Sequence, residues 1–160
     1  MMDYSHLIMK TNQNAVLNAA FLKRYPTLPA DFMDFLNTYS LVTNVDDTTW
    51  FTCISDFNGE VLDGAFPWNE FELQSLAVFE GDLENQRLIQ SFWDAHLPIV
   101  LSVKKAYSFF ALGVSEDNFG KVYFGEEPEY EEVVLVADSF TEFFDQIRNN
   151  MLVPAYQILF

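Results

Sequence analysis

The sequence predicts an α+β fold: a single twisted, mainly antiparallel sheet of about five to six strands, with N-terminal helices and a C-terminal helix packed against it. Three observations carry that expectation. Phe32, Phe35, Leu36 and Tyr39 recur three and four residues apart, as do Phe140, Phe143, Phe144 and Ile147, and each set marks one face of a helix. Between these helices, the runs from Tyr107 to Val114 and from Gly120 to Gly125 are aromatic and β-branched and are split by a polar turn, the pattern of a β-hairpin. Val133 to Ala137 is a continuous apolar run of strand length, suited to a strand with little solvent exposure.

In chain order, residues 1–13 fit either a short helix or a strand, with Tyr4, Leu7, Ile8 and Met9 as the apolar positions. A helix of about three turns is expected from Asn14 to Arg24, ended by Pro26. Pro29 suits the first turn of a second helix, whose positive end Asp31 complements. Thr49 to Ile54 is β-prone, and Asp56-Phe57-Asn58-Gly59 marks a turn before Val61-Leu62. Asp63-Gly64 and Pro67-Trp68-Asn69 break the chain again. Phe71 to Phe79 is compatible with strand or helix. Leu83, Leu88, Ile89, Phe92 and Trp93 suit a helix stopped near His96 by Pro98, and Ile99 to Val103 then reads as a strand. Asp138 or Ser139 caps the closing helix, with Glu142 placed for a capping box and Arg148 near its negative end. Met151 to Phe160 is apolar and, with Pro154, is expected to be extended and to pack on the body or on a partner.

At 160 residues, without repeats or flexible linkers, the chain is expected to form one domain spanning 1–160. Half of the residues are hydrophobic and 17% are aromatic, which excludes disorder despite the charge. That charge is extreme: 24 acidic against 8 basic residues give −16. Such a surface repels nucleic acid and anionic membranes and speeds encounter with basic partners. Cys53 has no second thiol to pair with, Met1 to Lys10 lacks the pattern of a signal peptide, and no apolar run approaches the ~20 residues that span a bilayer. A cytoplasmic protein is expected.

Catalytic sets are missing from the sequence pattern. His6 and His96 are the only histidines and sit in no triad or His-Glu-x-x-His context. Cys53 in a β-prone run reads as an inert buried thiol. One thiol and two distant histidines do not make a zinc site, and the six glycines form no phosphate-binding loop. Asp56-Phe57-Asn58-Gly59-Glu60 has its glycine too early and too few spaced acids for a calcium loop. No cofactor and no metal are expected.

Leu28-Pro29-Ala30-Asp31-Phe32 through Tyr39, then Gly120-Lys121-Val122-Tyr123-Phe124, then Val136-Ala137-Asp138-Ser139-Phe140 through Phe144 occur in an order that resembles the SMI1/KNR4 (SUKH) superfamily. The resemblance covers roughly residues 14–148. The chain departs from it at the exit of the Leu-Pro helix, where Tyr39-Ser40-Leu41 replaces the Asn-Gly of many members, and in a longer middle from about Phe71 to His96. The resemblance implies a binding module without catalysis. In bacteria this is commonly an immunity protein that neutralises a cognate toxin of nuclease or deaminase type, and in fungi a regulator acting through protein contacts.

From Glu116 to Glu132 the chain carries seven acidic residues and one basic residue, Lys121, so the segment is formally −6. Glu116, Asp117, Tyr123, Glu126, Glu127, Glu129, Tyr130, Glu131 and Glu132 are the candidate partner-binding residues, pairing charge with flat aromatic area that suits a basic protein surface. The bland alternative is a solvated loop with its aromatic residues turned to the core. On the functional view, reversing Glu127, Glu129 and Glu131 to Lys slows association without unfolding the protein. The expected partner is a basic toxin domain bound by a monomer or weak dimer, and the alternative is a regulatory scaffold for an unrelated cellular protein.

Overall fold

The computed structural model describes residues 6–60 and 66–160. Tyr4, Val61-Leu62 after the expected turn and the break at Asp63-Gly64 lie outside them. The elements run β1 (Leu7–Thr11), α1 (Ala19–Arg24), α2 (Ala30–Thr38), β2 (Tyr39–Asn44), β3 (Thr49–Phe51), α3 (Ile54–Phe57), α4 (Glu70–Val78) and α5 (Leu83–Ala95). They continue as β4 (His96–Ser102), β5 (Ser108–Gly113), β6 (Val122–Glu126), β7 (Val134–Ala137), α6 (Phe140–Arg148) and α7 (Pro154–Gln157). The strands form one antiparallel sheet of seven in the order β1-β2-β3-β4-β5-β6-β7, each pairing with the next in sequence. The α+β class is therefore as expected. The sheet has more strands than expected because β1 lies in the undecided N-terminal stretch and β2 follows α2 without a loop, Tyr39 turning extended at φ −119°, ψ 138°.

Helices cover both faces of the sheet, and period-two alternation divides the side chains between them. On β5, Phe110 and Leu112 join the larger core under α2, α6 and the C-terminal turn, while Phe109 and Ala111 join a second core under α4 and α5. This explains why β4 and β5 read as unbroken apolar runs. In the larger core the predicted stripes do their part: Phe32, Phe35 and Leu36 of α2 and Phe140, Phe143, Phe144 and Ile147 of α6 are buried. Ser139 rather than Asp138 caps α6, its hydroxyl accepting from the Glu142 amide at 3.1 Å. Fully burying each of these phenylalanines contributes about 2 kcal/mol.

Several local expectations are corrected. The first helix starts at Ala19, not Asn14, because Asn14 takes φ 66°, which no right-handed helix accommodates, and Asn18 caps the shorter helix from the Phe21 amide. The β-prone run stops at Phe51, and Cys53 instead opens the one-turn α3, its amide donating to the Asp56 carboxylate at 2.8 Å. The Cys53 thiol is buried, which pushes its pKa up to about 12. Phe71 to Phe79 is mostly helix. Its Leu73 and Val78 face solvent, so the apolar residues form no clean stripe. In α5 only Ile89 and Trp93 are buried, whereas Leu83 and Leu88 are exposed. Pro98 does not stop that helix. It sits inside β4, where the register against β5 shifts between Pro98 and Val100. The C-terminal segment is not extended: Pro154 begins the short α7, and Leu152 and Leu159 are buried against the larger core.

The strand at Val133 to Ala137 exists but is not shielded. Val134 is 54% and Leu135 53% exposed, because β7 is the last strand of the sheet and pairs with β6 alone.

Gly113 marks the tightest backbone approach at the end of β5. A methyl group there would fall inside van der Waals contact of the Asn118 carbonyl, while Gly113 itself bonds Lys121 and Gly120 through its amide and carbonyl. Gly113→Ala is expected to lower stability by about 3 kcal/mol through this overpacking, read as a shift in denaturant midpoint.

Candidate functional site

The acidic loop follows directly from β6 and is held at three points. The Glu127 amide donates to the Tyr107 carbonyl at 2.9 Å. The Tyr130 ring stacks on Phe71 with centroids 4.6 Å apart, and its hydroxyl donates to Gln74 Oε1 at 2.7 Å. One carboxylate oxygen of Glu131 accepts from Ser75 Oγ at 2.8 Å and from the Trp93 indole at 2.9 Å. Trp93 and Tyr130 are nearly inaccessible to solvent, at 1% and 5% exposure. The loop is thus clamped onto α4 and α5 by side chains of the second core.

These clamps revise the candidate list. Tyr130 offers no flat contact area; it belongs to the core. Burial first, and then the charges of Glu127, Tyr107, Glu70 and Glu131, push its hydroxyl pKa up to about 12. Glu131 is a structural acceptor, so its reversal to Lys would disrupt the fold, contrary to the expectation from sequence. Glu126, Glu127, Glu129 and Glu132 are exposed, and among the described residues no ion pair involves them. Glu116 and Asp117 are also exposed but occupy the β5–β6 turn, at the opposite end of β6 from the acidic loop. A strand of that length separates the two groups by about 16 Å, so the structure does not gather all the carboxylates into one cluster. Tyr123, the second residue of β6, is half-buried, its ring steeply inclined to that of His96 with centroids 5.2 Å apart, and burial raises its pKa.

Between α4 and the loop lies a cleft of about 470 Å³ lined by Gln74, Ser75, Val78, Glu127, Pro128 and Tyr130. Val78 stands at its rim, 77% exposed. Sequence reasoning missed this cleft, because the helical state of Phe71 to Phe79 is what brings Gln74 and Val78 onto one side of α4.

Beneath the site, Arg24 ties three helices together. Its Nη1 and Nη2 donate to the two Glu72 oxygens at 2.9 and 2.8 Å, and its Nε donates to Asp94 at 2.9 Å. Glu72 is 5% exposed while the Arg24 side chain keeps 30% of its surface in solvent, so the carboxylate half of the pair is the desolvated one. Burial opposes the Arg24 charge, but the bonds to Glu72 and Asp94 outweigh it and raise its pKa. The Tyr25 hydroxyl donates to the Trp93 carbonyl at 2.9 Å and completes the join.

The two histidines are each held by backbone contacts. His96 contacts the Phe92 carbonyl at 2.8 Å through Nδ1 and the Asn118 amide at 3.4 Å through Nε2, and burial lowers its pKa against the pull of the Phe92 bond. His6 contacts the Ile147 carbonyl. Among the described residues no group of three or more His, Cys, Asp or Glu side chains is placed to hold a metal, and no helix is long and apolar enough to cross a membrane. In comparisons with known proteins the chain matches no family model, no curated protein and no solved structure.

Proposed function

We propose that this chain is a non-catalytic binding module of the immunity type, which neutralises a basic toxin domain of nuclease or deaminase chemistry by covering its substrate-binding surface. The observation that carries the reading is the loop itself: Glu126, Glu127, Glu129 and Glu132 are exposed and free of ion pairs among the described residues, yet the backbone that bears them is fixed by Tyr130 and Glu131. A preorganised loop loses little conformational entropy on binding, and its charge steers a basic partner into place. The net charge of −16 extends that attraction over the whole surface.

The test is co-purification with, and rescue from, a toxin encoded beside this chain, followed by reversal of Glu126, Glu127, Glu129 and Glu132 to Lys. Association is expected to slow about tenfold and to lose most of its salt dependence, with the thermal transition unchanged. Binding kinetics that ignore all four reversals would remove the loop from the interface. Capture of a basic protein with no toxic activity would replace the immunity reading with that of a regulatory scaffold.

A further inference from the structure

Resting on the reading of the acidic loop as a partner surface, we infer that the cleft between α4 and that loop is a socket for one cationic side chain, an arginine or lysine, presented by the partner protein. Its walls suit such a group from stem to head. Val78 and Pro128 give an apolar lining for an alkyl stem, with the buried Tyr130 closing the cleft behind them, and Glu127 gives a carboxylate for the charged head. Gln74 and Ser75 are already engaged, with Tyr130 and Glu131 respectively, so they shape the floor without competing for the guest.

Charge complementarity selects the guest. Glu70, Glu127 and Glu131 all bear on the Tyr130 hydroxyl at the cleft wall. Among the described residues the ion pairs engage Arg24 and Arg148, neither of which lines the cleft. The cleft is therefore negative without an internal counterion. Purely apolar guests would leave the Glu127 carboxylate without a partner, and anionic guests would be repelled. A second copy of this chain is a poor occupant, because each carries −16. The rim continues from Val78 into the α4–α5 turn, where exposed Phe79 and Leu83 alternate with Glu80, Asp82 and Glu84. Apolar contact area bordered by acids is what an arginine-centred hot spot on a basic protein meets.

The probe is N-acetyl-arginine methylamide titrated into the isotopically labelled protein and followed by NMR, with the uncharged citrulline analogue and an isosteric alkyl amide as controls. Saturable shifts at Gln74, Val78 and Tyr130 are expected for the arginine probe, with the citrulline analogue about tenfold weaker, as one charge-assisted bond implies. Val78→Arg places a cation at the rim and, because this side chain is exposed, leaves the fold intact; it is expected to abolish the shifts. Equal binding of the alkyl amide, shifts confined to the outside of the loop, or no saturable shift would each overturn the socket. With a protein partner in hand, Val78→Arg separates the two ideas. If it leaves capture untouched while reversal of the four loop glutamates abolishes capture, the socket is wrong and the loop reading stands. If neither change affects capture, the loop reading itself fails.

Discussion

Glu131→Ala is expected to lower stability by about 3 kcal/mol and the melting temperature by about 8 °C, an unusually large effect for a residue in an acidic surface loop. Ser75 and the Trp93 indole share a single Glu131 oxygen, and Trp93 is 1% exposed. Alanine leaves both donors without an acceptor in a place that water reaches poorly, and each such orphan costs about 1–3 kcal/mol. Glu131→Gln retains a carbonyl oxygen and loses only the charge assistance, so its expected cost is about 1 kcal/mol. Glu129→Ala, two residues away on an exposed side chain, serves as the control and should stay within about 0.5 kcal/mol of the parent. Equal melting temperatures for the Glu131→Ala and Glu129→Ala proteins would show that the clamp does not hold the loop.

A similar loss, about 3 kcal/mol, is expected for Arg24→Met, which keeps the aliphatic stem and deletes the guanidinium. The Glu72 carboxylate is then left desolvated beside an apolar side chain, and breaking one half of a buried pair is the costly way to disrupt it. Replacing both halves should undo most of the damage. The double variant Arg24→Met, Glu72→Leu is expected to recover to within about 1 kcal/mol of the parent in urea unfolding. The half-exposed contact to Asp94 contributes little of this, since a pair open to water is worth less than about 1 kcal/mol. A double variant as unstable as the single one would mean that the ion pair matters for its geometry between α1 and α4 and not for its charge.

Strong periodicity made much of this fold legible in the sequence. The stripes of α2 and α6 are written in side chains that face the larger core, with Tyr39 alone passing from the α2 stripe into β2, and the β5–β6 hairpin alternates its side chains between the two cores. What escaped has physical causes. The amphipathic signal fails in α4, because one face meets a thin core while Leu73 and Val78 remain in solvent; in α5 the helix itself was legible from Leu83 to the neighbourhood of His96, and only the exposure of Leu83 and Leu88 was not. The apolar run of β7 gives no sign that it lies at an edge, which is a property of the sheet and not of the strand. The site was legible as charge but not as mechanics. Composition marks out Glu126 to Glu132, yet nothing local distinguishes Glu131 and Tyr130, which turn inward, from Glu129 and Glu132, which do not; their partners lie 38 to 59 positions earlier in the chain.

The sequential strand order has a kinetic consequence. The connections within β4 to β7 are short, whereas β1 and β2 are joined across α1 and α2, and β3 and β4 across α3, α4 and α5. Loop closure is therefore least demanding in the last four strands, which makes this meander the natural nucleus for folding, with the remaining strands and helices condensing onto it.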